Sequence, residues 1–328
     1  ILYPFLGSAL GFIFGSTTFA LQLISCLSFS FTCVYILKSI TLLYPKSKQQ
    51  FSYILLFAMF CPFLLKMGLI VMSDALALAF VTLCVYYYIV IQNKQTKKYA
   101  YALVFIFATC AIMTRYAALF IVLPFILKSL FAALTNKKIK QLGLASVIIS
   151  VVVLPFFFLQ WDALFKAGSN YFLNAWSVSN FFKASFSTVD GVTSYRLPNV
   201  VYAFSVFFHP GFFFIGGILS VIWVKNYKLY ISTIHKTLLI CVLLYVLFLA
   251  GIPFQNPRIL GLVFPLVLII LYPAFEKLVH FLTKKNSYSK SETAKFCQTN
   301  QCVAAACITA GVCLKLKILK FYQLVTIT

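Results

Sequence analysis

Acidic side chains are almost missing from this sequence: 328 residues hold five Asp and Glu. Charged residues of both signs make up 10%, where a soluble globular domain carries roughly 25%. That shortage excludes a fold with an ordinary water-facing surface. There is no Walker A loop, no GxGxxG turn and no HExxH pair, so nothing cradles a nucleotide or offers a helix-borne zinc site. The short alternating segments of a transmembrane barrel are missing too. Ten cysteines are present, without metal-type spacing. Cys26, Cys33, Cys84, Cys110 and Cys241 lie inside apolar runs and read as small buried hydrophobes. Cys297, Cys302, Cys307 and Cys313 cluster near the end with neither His nor CxxC beside them.

What remains is apolar. The chain is 62% hydrophobic and 18% aromatic, with mean hydropathy +0.99. Apolar runs of about 20 residues each suffice to cross a bilayer as helices. The sequence therefore predicts an all-α polytopic transmembrane bundle of about 10 spans. We place them near 17–37, 51–71, 74–91, 99–113, 117–134, 142–160, 199–223, 237–252, 258–276 and 301–321. Residues 1–15 are short and marked by Gly and Pro, and read as an interfacial or re-entrant piece. The whole chain reads as one transmembrane domain, 1–328, with a long loop at 161–198. The segment 283–328, with Lys315, Lys317 and Lys320, fits neither side of this topology.

Net charge is +22. In a soluble protein that excess would suggest nucleic acid. Here the lysines fall in loops between apolar runs, and cytoplasmic retention explains them without a nucleic-acid partner. The clusters are Lys38/Lys46/Lys48, Lys94/Lys97/Lys98, Lys128/Lys137/Lys138/Lys140, Lys225/Lys228/Lys236 and Lys277/Lys284/Lys285/Lys290/Lys295. Alternate loops carry few charges. The outer face then holds Ser73-Asp74, Arg115, the 161–198 loop, His209 and Arg258, and chemistry is expected there. The spans on either side of "MTRYAA" are short and hinge at Arg115, as helices do around a polar pocket.

Each of these residues has a plain reading beside a functional one. Asp74, in "VMSDALALAF", is either an N-terminal cap or a group that holds a metal or orients an acceptor. Arg115 either snorkels to headgroups or contacts phosphate. His209, beside aromatics in "VFFHPGFFF", is either structural or a metal ligand with Asp74. Arg258, in "NPRILGLVFP", is either a headgroup anchor or a phosphate contact. Asp162, Trp176, Asp190 and Arg196 are candidate substrate contacts in the long loop, where aromatics equally serve an interfacial belt.

The chain resembles the GT-C membrane glycosyltransferases, in particular the group of the protein O-mannosyltransferases and the lipid A aminoarabinose transferase. The resemblance rests on "YPFLGSALGFIFGS" (3–16), "MSDALALAF" (72–80), "ATCAIMTRYAALFIVLPFIL" (108–127) and "NPRILGLVFPLVLII" (256–270), and covers roughly residues 1–280. It implies transfer of a sugar from a polyprenyl-phosphate donor to a lipid, glycan or protein acceptor outside the membrane, with inversion. It implies Asp74 as the second outer acid, associated with the acceptor or a divalent metal ion, His209 as a loose metal partner, and Arg258, with Arg115, at the donor phosphate. The main catalytic acid of the family lies ahead of the "YP" segment, so it is expected upstream of Ile1. A bacterial cytoplasmic membrane, with the site facing outward, is the expected setting. The competing readings are a transporter or flippase of lipid-linked sugars and an O-antigen polymerase or ligase. The absence of an internal repeat and the placement of polar residues away from the midplane favour the enzyme.

Overall fold

The computed structural model describes residues 2–93, 99–159, 176–188, 191–209 and 211–289. Asp162, Asp190, the lysines at 94, 97 and 98, the C-terminal cysteines and the expected span at 301–321 lie outside the described residues. The chain divides into two units, Ile1–Glu276 and Lys277–Thr328. Of the second, the described part is helical up to residue 289.

Helices in chain order are α1 (Leu2–Phe14), α2 (Thr17–Leu43), α3 (Gln50–Phe60), α4 (Pro62–Leu69), α5 (Ser73–Gln92), α6 (Ala100–Thr114), α7 (Leu119–Thr135) and α8 (Ile139–Leu159). A small hairpin, β1 (Ser185–Thr188) and β2 (Gly191–Ser194), follows, with Ser185 opposite Ser194. Then come α9 (Asn199–Phe204), α10 (Gly216–Lys225), α11 (Tyr227–Tyr230), α12 (Thr233–Ala250), α13 (Pro257–Leu260) and α14 (Phe264–Ser289).

Among the described residues, six helical stretches are long and apolar enough to cross a membrane. These are Thr17–Leu43, Ser73–Gln92, Tyr116–Thr135, Ile139–Phe158, Thr233–Ala250 and Pro257–Thr283. The bent pair α3–α4 makes a seventh if it counts as one span. The chain is an integral multi-pass membrane protein. Three expected spans take a different form, and the one at 99–113 is the 15-residue α6, shorter than the six. Residues 51–71 break at Cys61, where Pro62 has no N–H to continue the helix, and the axis turns by 72°. Residues 199–223 are not one helix: α9 ends at Phe204, a 3-10 turn follows at Ser205–Phe207, and α10 starts only at Gly216. Apolar content alone marked that stretch as a span, and hydropathy does not register the breaks around His209 and Gly211.

The core is built round α5, which packs between α2 and α6 and has 78% of its span buried. Residues Leu76, Ala77, Leu78, Val81, Val85 and Ile89 are all buried. Burying a helix on all sides needs an apolar residue at nearly every position, which is how this sequence reads. The span Pro257–Thr283 is 89% buried. Within it, the Leu268 carbonyl accepts a hydrogen bond from the Tyr53 hydroxyl at 2.9 Å, one turn before the in-helix Pro273. α1 lies against α2, with the Tyr3 hydroxyl 2.8 Å from Ser25 Oγ, while Phe12 and Ile13 point outward. Cys84 and Cys241 are buried as expected, as is Cys61, whereas Cys33 and Cys110 are half-buried and Cys26 is exposed.

Described residues that flank the lysine clusters bond one another within the first unit. There Asn93 donates to the Leu42 carbonyl (3.2 Å), Asn136 to the Tyr101 hydroxyl (3.1 Å), and Tyr44 lies 2.8 Å from His235 Nε2. Ser47 bonds the Tyr272 hydroxyl nearby. Lysines join these contacts: Lys128 Nζ donates to Thr237 Oγ1 at 2.6 Å, and Lys38 Nζ sits 4.7 Å above the Tyr35 ring. Removing the Tyr53 hydroxyl would leave the buried Leu268 carbonyl one partner short. Tyr53→Phe is expected to lower stability by about 1 kcal/mol, read as a lower thermal midpoint of the full chain in lipid nanodiscs.

Candidate functional site

Asp74 sits in the first turn of α5, fully buried. The helix is capped by the extended residue Met72 (φ −144°, ψ 131°) without a side-chain hydrogen bond. The capping reading of Ser73-Asp74 is therefore corrected: this carboxylate does not turn back to the backbone. Its Oδ1 lies 2.6 Å from Arg115 Nη2, and its Oδ2 accepts from Arg258 Nη2 at 3.0 Å. The turn ahead of it is held by α2. Ser25 Oγ accepts from the Met72 N–H (3.4 Å), and Gln22 donates to the Leu69 carbonyl (3.3 Å).

Arg115 stands at the expected hinge. α6 ends at Thr114, Arg115 is extended (φ −146°, ψ 111°), and a 3-10 turn at Tyr116–Ala118 leads into α7. Its own N–H still bonds the Ala111 carbonyl, and its carbonyl accepts from Ala118. Arg258 is set by a local device. Asn256 caps α13 by accepting from the Arg258 N–H at 2.9 Å, and Pro257 occupies the first helical position, where no N–H is needed. The Tyr245 hydroxyl fixes the same turn from α12, donating to the Ile259 carbonyl at 2.6 Å.

One carboxylate thus faces two guanidinium groups, and the cluster carries one unit of net positive charge. The two arginine side chains are 30% and 45% exposed, while the acid has no exposed surface. Each guanidinium commits one nitrogen to Asp74. Arg115 Nε is buried without a hydrogen-bond partner among the described residues. Both arginines open on a cleft of about 210 Å³ lined also by Tyr116, Phe248, Phe254 and Asn256. A cationic floor with aromatic and aliphatic walls suits an anion that carries an apolar body.

The expected partners of Asp74 divide accordingly. Arg115 and Arg258, read separately in the sequence, converge on it. His209 does not join them. Its ring stacks on Phe63 (centroids 5.8 Å apart) and its Nδ1 accepts from the Gly211 N–H at 3.0 Å. Partial desolvation lowers its pKa from the ordinary imidazole value, which favours the neutral ring. Among the described residues, no group of three or more His, Cys, Asp and Glu could hold a metal ion. The Asp74 cluster does not fit a divalent cation either, since both carboxylate oxygens face guanidinium nitrogens and a metal would meet two positive charges. Trp176 donates its indole N–H to the Phe248 carbonyl at 3.0 Å, which anchors it to the end of α12. Arg196 is exposed.

Sequence reasoning missed Asn180, Asn199 and Gln255. Asn180 and Asn199 are buried, and all three tie the 176–199 segment to the turn after α12. Asn199 carried a signal of the same kind as Asp74, a polar residue at the head of an apolar run.

The family described as dolichyl-phosphate-mannose-protein mannosyltransferase matches residues 1–161, in agreement with the resemblance found in the sequence. The match takes in α1 to α8, with Asp74 and Arg115, and ends before Arg258. Neither the curated proteins nor the solved structures contain a match to this chain.

Replacing Asp74 by Asn would leave two guanidinium groups side by side with no charge between them. We expect Asp74→Asn to cost about 3 kcal/mol, the low end for breaking a buried pair because the arginines retain some water. Denaturant titration of the nanodisc-embedded protein measures it. A change within about 0.5 kcal/mol, the range of an ordinary surface substitution, would mean the cluster does not hold these segments together.

Proposed function

We propose that this protein is a membrane glycosyltransferase of the GT-C type, taking a sugar from a polyprenyl-phosphate-linked donor. The acceptor is a lipid, glycan or protein on the outer face of a bacterial cytoplasmic membrane. The observation that carries this reading is the cleft where Arg115 and Arg258, both organised by the buried Asp74, meet apolar and aromatic walls. A donor of this class has the same two parts, a phosphate and a hydrocarbon chain. The match over residues 1–161 to a family of dolichyl-phosphate-mannose-protein mannosyltransferases supports this class of donor.

In this reading the acceptor hydroxyl oxygen attacks the anomeric carbon as the bond from that carbon to the phosphate oxygen breaks, and the hydroxyl proton ends on the released phosphate. The electron pair leaves with the phosphate, and Arg115 and Arg258 stabilise the charge that grows there. Donors already fixed in position before the reaction are worth more than mobile water, since they need no reorganisation at the moment of charge transfer. Asp74 is a positioning residue: it holds both guanidinium planes toward one point. It is badly placed as a base for the acceptor proton, because both of its oxygens already face guanidinium nitrogens. The outer placement is supported by the lysine distribution, since basic loops favour the cytoplasmic side.

The test is transfer of radiolabelled sugar from a polyprenyl-phosphate donor by the purified full chain in nanodiscs. Arg258→Ala is expected to raise the donor KM by at least about tenfold, the loss of one charge-assisted contact. Arg115→Ala should act in the same direction, and acceptor KM should move little. Movement of labelled donor across sealed vesicles, with no sugar joined to any acceptor, would replace this reading with transport.

A further inference from the structure

The mechanism above makes no use of a set of seven hydrogen bonds that join 176–199 to the turn after α12. Trp176 Nε1 donates to the Phe248 carbonyl (3.0 Å), and the Ser177 N–H and Asn180 Nδ2 both donate to Gly251 (3.0 and 2.8 Å). Asn199 Nδ2 donates to the carbonyls of Ala250 (3.3 Å) and Ile252 (2.5 Å). Gln255 Nε2 returns two bonds, to the Leu197 carbonyl (2.7 Å) and to Asn199 Oδ1 (3.0 Å). Asn199 is 1% exposed, and all of its side-chain polar capacity goes to this turn.

The last carbonyls of a helix lack partners within the helix, and a local left-handed turn commonly supplies them. α12 ends differently. Gly251 is right-handed (φ −82°, ψ −13°), and beside the local bond from its N–H to the Phe248 carbonyl, the carbonyls of Phe248, Ala250, Gly251 and Ile252 accept from side chains 51 to 72 residues earlier. Gly251 is glycine for a steric reason, since a Cβ there would overlap the Trp176 indole. The turn that these bonds fix is also the cleft wall. Phe248, Ile252, Phe254, Asn256 and Arg258 all line the cleft, and the stretch from Ile252 to Asn256 has no helix of its own to hold it. Trp176, Asn180 and Asn199 do not line the cleft.

We propose that Asn199, backed by Asn180 and Trp176, is a positioning residue that sets the cleft wall and, through Asn256, the aim of Arg258. The 176–199 segment then governs donor binding from behind the site and need not touch the donor. The effect on the donor rests on the glycosyltransferase reading, whereas the effect on the wall does not.

Two measurements on the full chain in nanodiscs test this, using Asn199→Asp, which keeps the shape and removes both donated bonds. Amide hydrogen exchange at 252–258 should quicken by about tenfold or more, with α5 unchanged. The donor KM should rise about tenfold with kcat and acceptor KM within about twofold, a pattern that a general loss of folded protein does not give. Trp176→Phe, which removes a single donor, should give smaller changes of the same sign and serves if Asn199→Asp does not fold. Unchanged exchange at 252–258 overturns the proposal whatever the activity. Faster exchange with an unchanged donor KM, while Arg258→Ala still raises it, overturns the positioning role and leaves the glycosyltransferase reading intact. If the wild type transfers no sugar, that reading falls, and the exchange result alone decides whether the clasp sets the wall.

Discussion

A carboxylate with no exposed surface, at the head of a membrane-spanning helix, is tolerated only with charge beside it. Asp74 obtains that charge from two arginines, one 41 residues and one 184 residues further along the chain. Each of the three sits where the backbone departs from regular helix: a helix start, a helix break and a proline-initiated turn. Irregular backbone at such depth persists only where protein or a cavity surrounds it. The ion cluster and the cleft therefore explain one another. The breaks let the arginines reach the acid, and the acid gives the breaks a reason to stay where they are.

The two ends of the first unit are held by different chemistry. At the lysine-bearing end the contacts are mostly neutral, between tyrosine, histidine, asparagine and backbone carbonyls, with Lys128 donating to Thr237. At the Asp74 end they are ionic, and they are backed by a layer of amides around Gly251. Neutral contacts hold helices together without orienting a field. A cluster with one charge left over creates a field directed at the cleft, which is what binding an anion requires.

Much of the fold was legible in the apolar runs. The spans read at 17–37, 74–91 and 117–134 correspond to α2, α5 and α7, and the hinge at "MTRYAA" stands at Arg115. Hydropathy is blind to backbone breaks inside an apolar stretch, so the bend at Cys61-Pro62 and the interrupted segment after Phe204 were read as continuous spans. The site was legible as a set of residues and not as a set of pairs. Asp74, Arg115 and Arg258 each stood out as a charge in an apolar setting, but nothing in a linear sequence says that one acid serves both arginines. Asn199 was hidden for a further reason. Asparagine is neutral, and its importance lies in the carbonyls of a distant turn, which leave no mark on composition.

α8 has only 6% of its span buried, and its Val147, Val151, Leu154 and Phe158 face away from the protein. A helix held in place by hydrocarbon answers to a single demand, that it remain apolar for its length. Aliphatic residues there are exchangeable in a way that those of α5, enclosed by protein on every side, are not. Relatives of this chain should therefore drift freely along one helix and hardly at all along the other, although the two are indistinguishable by hydropathy.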